Sequence, residues 1–185
     1  MQKRIKQRRG CLYIFMQILG FQKTTLLDFP GQTASLIFTG GCNMRCPYCQ
    51  NGELVENLGK IAPVPEEEII SHLKKRKGLI TGLCISGGEP TLQKDLREFI
   101  KRVKEIGINV KLDTNGTNPD VLESLLDEGL LDHVAMDIKA SPEKYGLLFA
   151  DIYADAMQDK FIKRIKESVD LLKTSGIKYE FRTTV

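Results

Sequence analysis

Short apolar runs of strand length alternate with amphipathic helical stretches from Ala34 to Val185, and this alternation narrows the fold more than any other feature of the chain. The runs stand at residues 34–39, 82–86, 108–112, 133–138 and 178–185. Between them, residues 65–77 open on Pro65 and three glutamates and close on Lys74, Lys75, Arg76 and Lys77 before Gly78, a charge order that suits the helix dipole. Leu92, Leu96, Phe99, Ile100, Val103 and Ile106 recur at helical spacing. Asn118 and Pro119 supply a cap and first residue for a third helix, and residues 158–174 carry a fourth apolar stripe. Strand and helix in regular turn predict an α/β fold of five parallel strands joined by right-handed crossovers. Outside this series, residues 20–31 read as a short β-like lead-in ending in a turn at Pro30-Gly31. Residues 53–63 read as irregular, and residues 141–156 as an insertion with one helical turn.

Every unusual polar cluster falls at or just past the C-terminal end of one of these strands. Cys42, Cys46 and Cys49 follow the first, Gly87-Gly88-Glu89-Pro90 the second and Asp113-Thr114-Asn115-Gly116 the third, while Asp137 and Lys139 end the fourth. In a barrel of parallel strands those ends share one rim, where active sites are built. Taken singly, the glycines and Asp113–Gly116 also make good turns. Glu89 is more informative, because a carboxylate on such a rim can accept from an ammonium group. Asp137 and Lys139, two apart on a strand, share a face and suit an ion pair.

Residues 40–52, GGCNMRCPYCQNG, place three thiols at C-x3-C-x2-C spacing among loop-forming residues. Thiolates select zinc or iron–sulfur clusters. A closed structural zinc site takes four ligands, whereas a cubane cluster held by three thiolates keeps one iron open. Cysteine spacing alone leaves both readings standing. Cys84 reads as a small apolar-like residue in a buried strand, and Cys11 has no visible role. His72 and His133 lack a partner pattern and read as surface residues.

The length, 185 residues, suits one domain with a sizeable core. Net charge is +3, but Lys3, Arg4, Lys6, Arg8 and Arg9 carry five positive charges, so residues 10–185 come to a net −2. That balance gives no basic groove for nucleic acid. Residues 11–19 are apolar and follow the basic start, as in a signal peptide. The run is too short to span a bilayer, and no small-x-small cleavage site follows. Met16 is an alternative start. Residues 1–19 are therefore expected to form a disordered N-terminal extension to a domain at 20–185.

With Tyr48 just before its last thiol, the cysteine loop resembles the signature of the radical S-adenosylmethionine (radical SAM) superfamily, and the resemblance runs over nearly the whole chain after residue 20. G-G-E at 87–89 resembles the family's motif for the SAM amino group. D-T-N-G at 113–116 and D-x-K at 137–139 resemble the glycyl-radical-enzyme activating proteins. The lead-in, ending D-F-P-G at 28–31, is most similar to activators of anaerobic ribonucleoside-triphosphate reductase; Gln50 departs from a position where related activators often carry His.

The resemblance implies a partial (β/α) barrel in which Cys42, Cys46 and Cys49 hold a [4Fe-4S] cluster whose open iron takes SAM. It implies that Gly87, Gly88 and Glu89 hold the SAM amino group, that Lys139 meets the carboxylate, and that Tyr48 lies beside the adenine. Asp113 and Asp137 would order the carboxylate end, directly or through a bound monovalent cation. The implied activity is reductive cleavage of SAM, giving a radical that takes hydrogen from a backbone glycine of the partner reductase. Flavodoxin or ferredoxin is the implied class of electron donor, and the cytoplasm the implied place, with no nucleic-acid or membrane partner. Radical SAM chemistry on a small molecule, or a non-catalytic metal-binding remnant, are the alternatives. Compared with the family's barrel, five strands predict a chain cut short at its C-terminal end by at least one β–α unit.

Overall fold

A computed structural model describes residues 16–149 and 158–183. Six strands form one sheet in chain order: β1 (Ile18–Thr25), β2 (Ala34–Thr39), β3 (Gly82–Gly87), β4 (Asn109–Thr114), β5 (His133–Asp137) and β6 (Lys178–Arg182). The helices are α1 (Gly52–Glu56), α2 (Glu66–Lys75), α3 (Leu96–Ile106), α4 (Pro119–Asp127) and α5 (Gln158–Thr174). Strands β2 to β6 pair in parallel throughout, as the alternation predicts, and make the partial (β/α) barrel that the resemblance implies.

The N-terminal lead-in is more than a short approach. It is a full strand, β1, running antiparallel to β2 with Ile18 beside Thr39 and Thr25 beside Ala34. Gln22, Lys23 and Thr24 are exposed on this edge, so no apolar alternation announces it. It begins two residues ahead of the expected boundary at residue 20, with Ile18 and Leu19 buried. Residues 1–15, including Cys11, lie outside the described residues. The stretch read as an insertion carries a 3-10 helix at Pro142–Leu148, and its remainder from residue 150 is likewise outside them.

Side chains alternate across the sheet, and its two faces differ in character. Leu83, Ile85, Val110, Leu112, Val134 and Met136 turn toward the helices and join Phe99, Ile100, Val103, Leu122, Leu125 and Ile165 in one buried apolar cluster. Each such side chain taken from water contributes about 1.5–3 kcal/mol. Residues of the opposite parity, among them Cys84, Lys111, Asp113, Asp137, Glu180 and Arg182, form the other, polar face. Helix ends follow the expected punctuation at Gly107, which closes α3 in the left-handed region at φ 85°. Asn118 precedes α4 but does not cap it with its side chain; its Nδ2 instead donates to Thr91 Oγ1 at 3.0 Å. Among the described residues no helix is long and apolar enough to cross a membrane.

Candidate active site

A cavity of about 280 Å³ opens where β2, β3, β4 and β5 end. Cys42, Cys46, Cys49, Tyr48, Gly87, Gly88, Asp113, Asp137 and Lys139 all line it. Every site residue expected from the sequence is there except Glu89.

The three thiols stand on the loop between β2 and α1, and that loop is tied down on several sides. Gly41 N–H donates to the Leu54 carbonyl at 3.0 Å, and Arg45 N–H to that of Leu148 at 2.6 Å. Arg45 Nη1 turns back to the Cys42 carbonyl at 2.8 Å. Cys42 Sγ receives the Met44 N–H at 3.3 Å and faces Asn115 Nδ2 at 3.8 Å. Burial, partly offset by that Met44 N–H, pushes the Cys42 thiol up to about 11, and burial also raises Cys46. Thiolate ligation there must displace protons. Among the described residues no three His, Cys, Asp or Glu side chains are grouped to hold a single metal ion. The fit is in the donor chemistry: three soft sulfurs share one cavity, and one of them is supplied with an N–H donor.

Gly87 and Gly88 are required by how closely two backbones meet. A Cβ on Gly88 would stand 1.9 Å from the Gly41 carbonyl oxygen, and one on Gly87, at φ 115°, 2.3 Å from Thr39 N. That contact lets Gly88 N–H donate to Thr39 O and Glu89 N–H to Gly41 O, both at 2.8 Å. The glycines thus clasp the start of the cysteine loop. The Gly87 carbonyl accepts from Asn51 Nδ2 at 3.0 Å.

Glu89 corrects the expectation of a carboxylate open to an ammonium group. It is fully buried behind the cavity wall. One oxygen accepts from Thr91 N–H at 3.1 Å, Thr91 Oγ1 at 2.5 Å and Thr114 Oγ1 at 2.7 Å, and the other from Asn115 N–H at 2.7 Å. Burial, opposed by these donors, raises its pKa. Its geometry is that of a staple between the loops after β3 and β4.

Across the cavity, Lys139 Nζ donates to Asp137 Oδ2 at 2.9 Å. Burial works against the ammonium, yet Asp137 outweighs it and holds Lys139 above the usual lysine range. Tyr48 Oη donates to the Lys139 carbonyl at 2.7 Å, so the cysteine loop touches the end of β5 directly. Tyr145 Oη accepts the Lys139 N–H at 3.0 Å. Asp113 is occupied on both oxygens, by Lys111 Nζ on one and by Arg182 Nη1 at 3.3 Å on the other.

Several residues at the site escaped sequence reasoning. Asn43 Nδ2 donates to Thr117 Oγ1 at 2.8 Å, and Asn115 Nδ2 to Asn43 Oδ1 at 2.9 Å, a buried chain behind Cys42. A lone Asn or Thr carries no spacing signal. Lys111 does carry one: a lysine in mid-strand among Val110 and Leu112 has to find a partner inside. His133 is buried rather than on the surface, stacked on Phe29 with ring centroids 5.9 Å apart.

Comparison with known proteins places this geometry in context. The family model described as the Radical SAM superfamily matches residues 36–185. The chain is 38% identical over 168 residues, 90% of its length and 67% of the relative's, to a Methanocaldococcus jannaschii protein named "Putative glycyl-radical enzyme activating enzyme". It is 33% identical over 143 residues, 77% of its length, to a "Probable GTP 3',8-cyclase" of Pyrococcus horikoshii, of which it spans 44%. Among solved structures, QueE from Escherichia coli matches with a TM-score of 0.55 at 14% identity, covering 93% of this chain and 85% of that one, a likeness of fold.

Proposed function

Because the chain belongs to the radical SAM superfamily, whose members use a [4Fe-4S] cluster and SAM, we propose that it activates a glycyl-radical enzyme of the anaerobic ribonucleotide reductase class. When bound, the cluster and SAM supply one-electron cleavage of a carbon–sulfur bond and so a hydrogen-abstracting radical. The observation that carries the reading is one cavity combining the three thiols with Asp113, Thr114 and Asn115 and with the Asp137–Lys139 pair. It is supported by 38% identity over 90% of the chain to a protein named as an activating enzyme.

Cys42, Cys46 and Cys49 would hold the cluster on the near wall. On the far wall the Lys139 ammonium, held charged by Asp137, would meet the SAM carboxylate, and Tyr48 would flank the adenine. Gly87 and Gly88 would bring backbone rather than side chains to the cofactor, and Glu89 would keep the two loops at fixed separation. A low-potential donor of the flavodoxin or ferredoxin class would supply the electron, in the cytoplasm.

A second reading, radical SAM chemistry on a small molecule, draws on the 33% identity to the cyclase. Anoxically reconstituted chain, SAM and a reductant, mixed with an anaerobic ribonucleotide reductase, should give the electron paramagnetic resonance doublet of a glycyl radical. Consumption of GTP with no such doublet would favour the second reading.

A further inference from the structure

Lys111 has no solvent exposure, yet it sits on the polar face of the sheet one turn of the pleat below the cavity. A buried ammonium persists only with opposite charge against it. Its Nζ donates to Asp113 Oδ1, with Cys84 Sγ at 3.7 Å and Glu180 Oε1 at 3.9 Å. Arg182 Nη1 takes the other Asp113 oxygen at 3.3 Å, and Lys139 takes Asp137. Asp113, Asp137 and Glu180 are therefore matched by Lys111, Lys139 and Arg182. A metal cation on Asp113 Oδ1 would have to lie against the Lys111 ammonium, which like-charge repulsion opposes.

We propose that the Lys111 ammonium, with Arg182, serves as the built-in countercation of the Asp113–Asp137 end of the pocket, so that the chain binds SAM without sodium or potassium. This rests on the reading of that end as the SAM carboxylate site. Lys111 acts through Asp113 and is a positioning residue.

The test compares sodium, potassium and tetramethylammonium chloride at equal ionic strength, using cluster-loaded full chain under anoxic conditions. Wild-type SAM affinity should agree among the three salts to within about twofold, a difference well below that of one charge-assisted contact. Lys111→Met, close in volume, should bind SAM about tenfold or more weakly in tetramethylammonium and recover in sodium or potassium. Thermal unfolding without SAM is a second arm: alkali ions should raise the midpoint of Lys111→Met and leave wild type unmoved. Alkali dependence in the wild type, by either measure, would overturn the proposal. So would a Lys111→Met whose lost affinity or stability no alkali ion restores, since Lys111 would then be only a packing element. If wild type binds no SAM in any salt, the carboxylate-site reading fails instead, and the unfolding arm still decides the countercation.

Discussion

Removing the Glu89 carboxylate should unfasten the site before it weakens SAM. Four donors converge on it in a place without solvent: two backbone N–H groups, of Thr91 and Asn115, and two hydroxyls, of Thr91 and Thr114. In Glu89→Ala the hydroxyls can rotate to other acceptors, but the N–H groups cannot, and each buried donor left unpaired costs about 1–3 kcal/mol. The expected loss is therefore about 2–6 kcal/mol, a large part of a domain's stability. Glu89→Gln keeps one acceptor and sets its NH2 against a donor, so it should lose about 1–3 kcal/mol. Urea unfolding of the unloaded chain reads both, and iron content after anoxic reconstitution should fall in the same order. A pH series adds a check of sign. The folded-state pKa of Glu89 lies above its ordinary value of 4.5, so its contribution is fully present below that value and declines as pH rises through the folded one. The wild-type advantage over Glu89→Gln should accordingly narrow from acid toward neutral pH. A Glu89→Gln chain with unchanged urea midpoint and iron but weakened SAM binding would refute this reasoning and restore direct contact with the cofactor.

Gly88→Ala should cost about 1–3 kcal/mol by overpacking and lower cluster occupancy, because its Cβ meets the Gly41 carbonyl; Gly52→Ala, whose Cβ meets nothing within 4 Å, is the control that should stay within about 1 kcal/mol of wild type in the same urea assay. Cys42→Ala, Cys46→Ala and Cys49→Ala should each abolish the cluster by iron and sulfide analysis. Cys84→Ala should keep it, since Cys84 is buried beside Lys111 and does not line the cavity. Lys139→Ala should leave iron in place and weaken SAM by about 1.5–3 kcal/mol in equilibrium binding, with Lys139→Arg also impaired because a planar fork replaces a compact ammonium.

The parallel strands and the rim they share were legible because each of β2 to β5 carries apolar side chains on the face toward the helices, and the connecting helices carry clear stripes. Cysteine spacing, the paired glycines and the Asp137–Lys139 interval were legible because each is a local pattern. What was lost depends on distant partners. β1 pairs through its backbone and shows three exposed side chains in a row, so it resembles a loop. Glu89 looks like an open acceptor until Thr114 and Asn115, 25 and 26 residues on, are brought against it. Asn43 and Thr117, 74 residues apart, mean nothing separately. Lys111 is the one omission with a visible cue, a charge in the middle of an apolar run.

The ties of the cysteine loop also set an order in time. Its thiols leave the ribosome early, but the groups that hold their loop come much later: Gly88 and Glu89 for its backbone, Asn115 and Thr117 for Asn43, Lys139 for Tyr48 and Leu148 for Arg45. At typical elongation rates the roughly hundred residues between Cys49 and Leu148 take about 5–20 s to make. Through that interval three neighbouring thiols have neither shielding nor a formed site. Cluster loading is thus a step that follows synthesis of most of the domain, and oxygen reaching the nascent chain can close a disulfide between thiols that stand free in the finished loop.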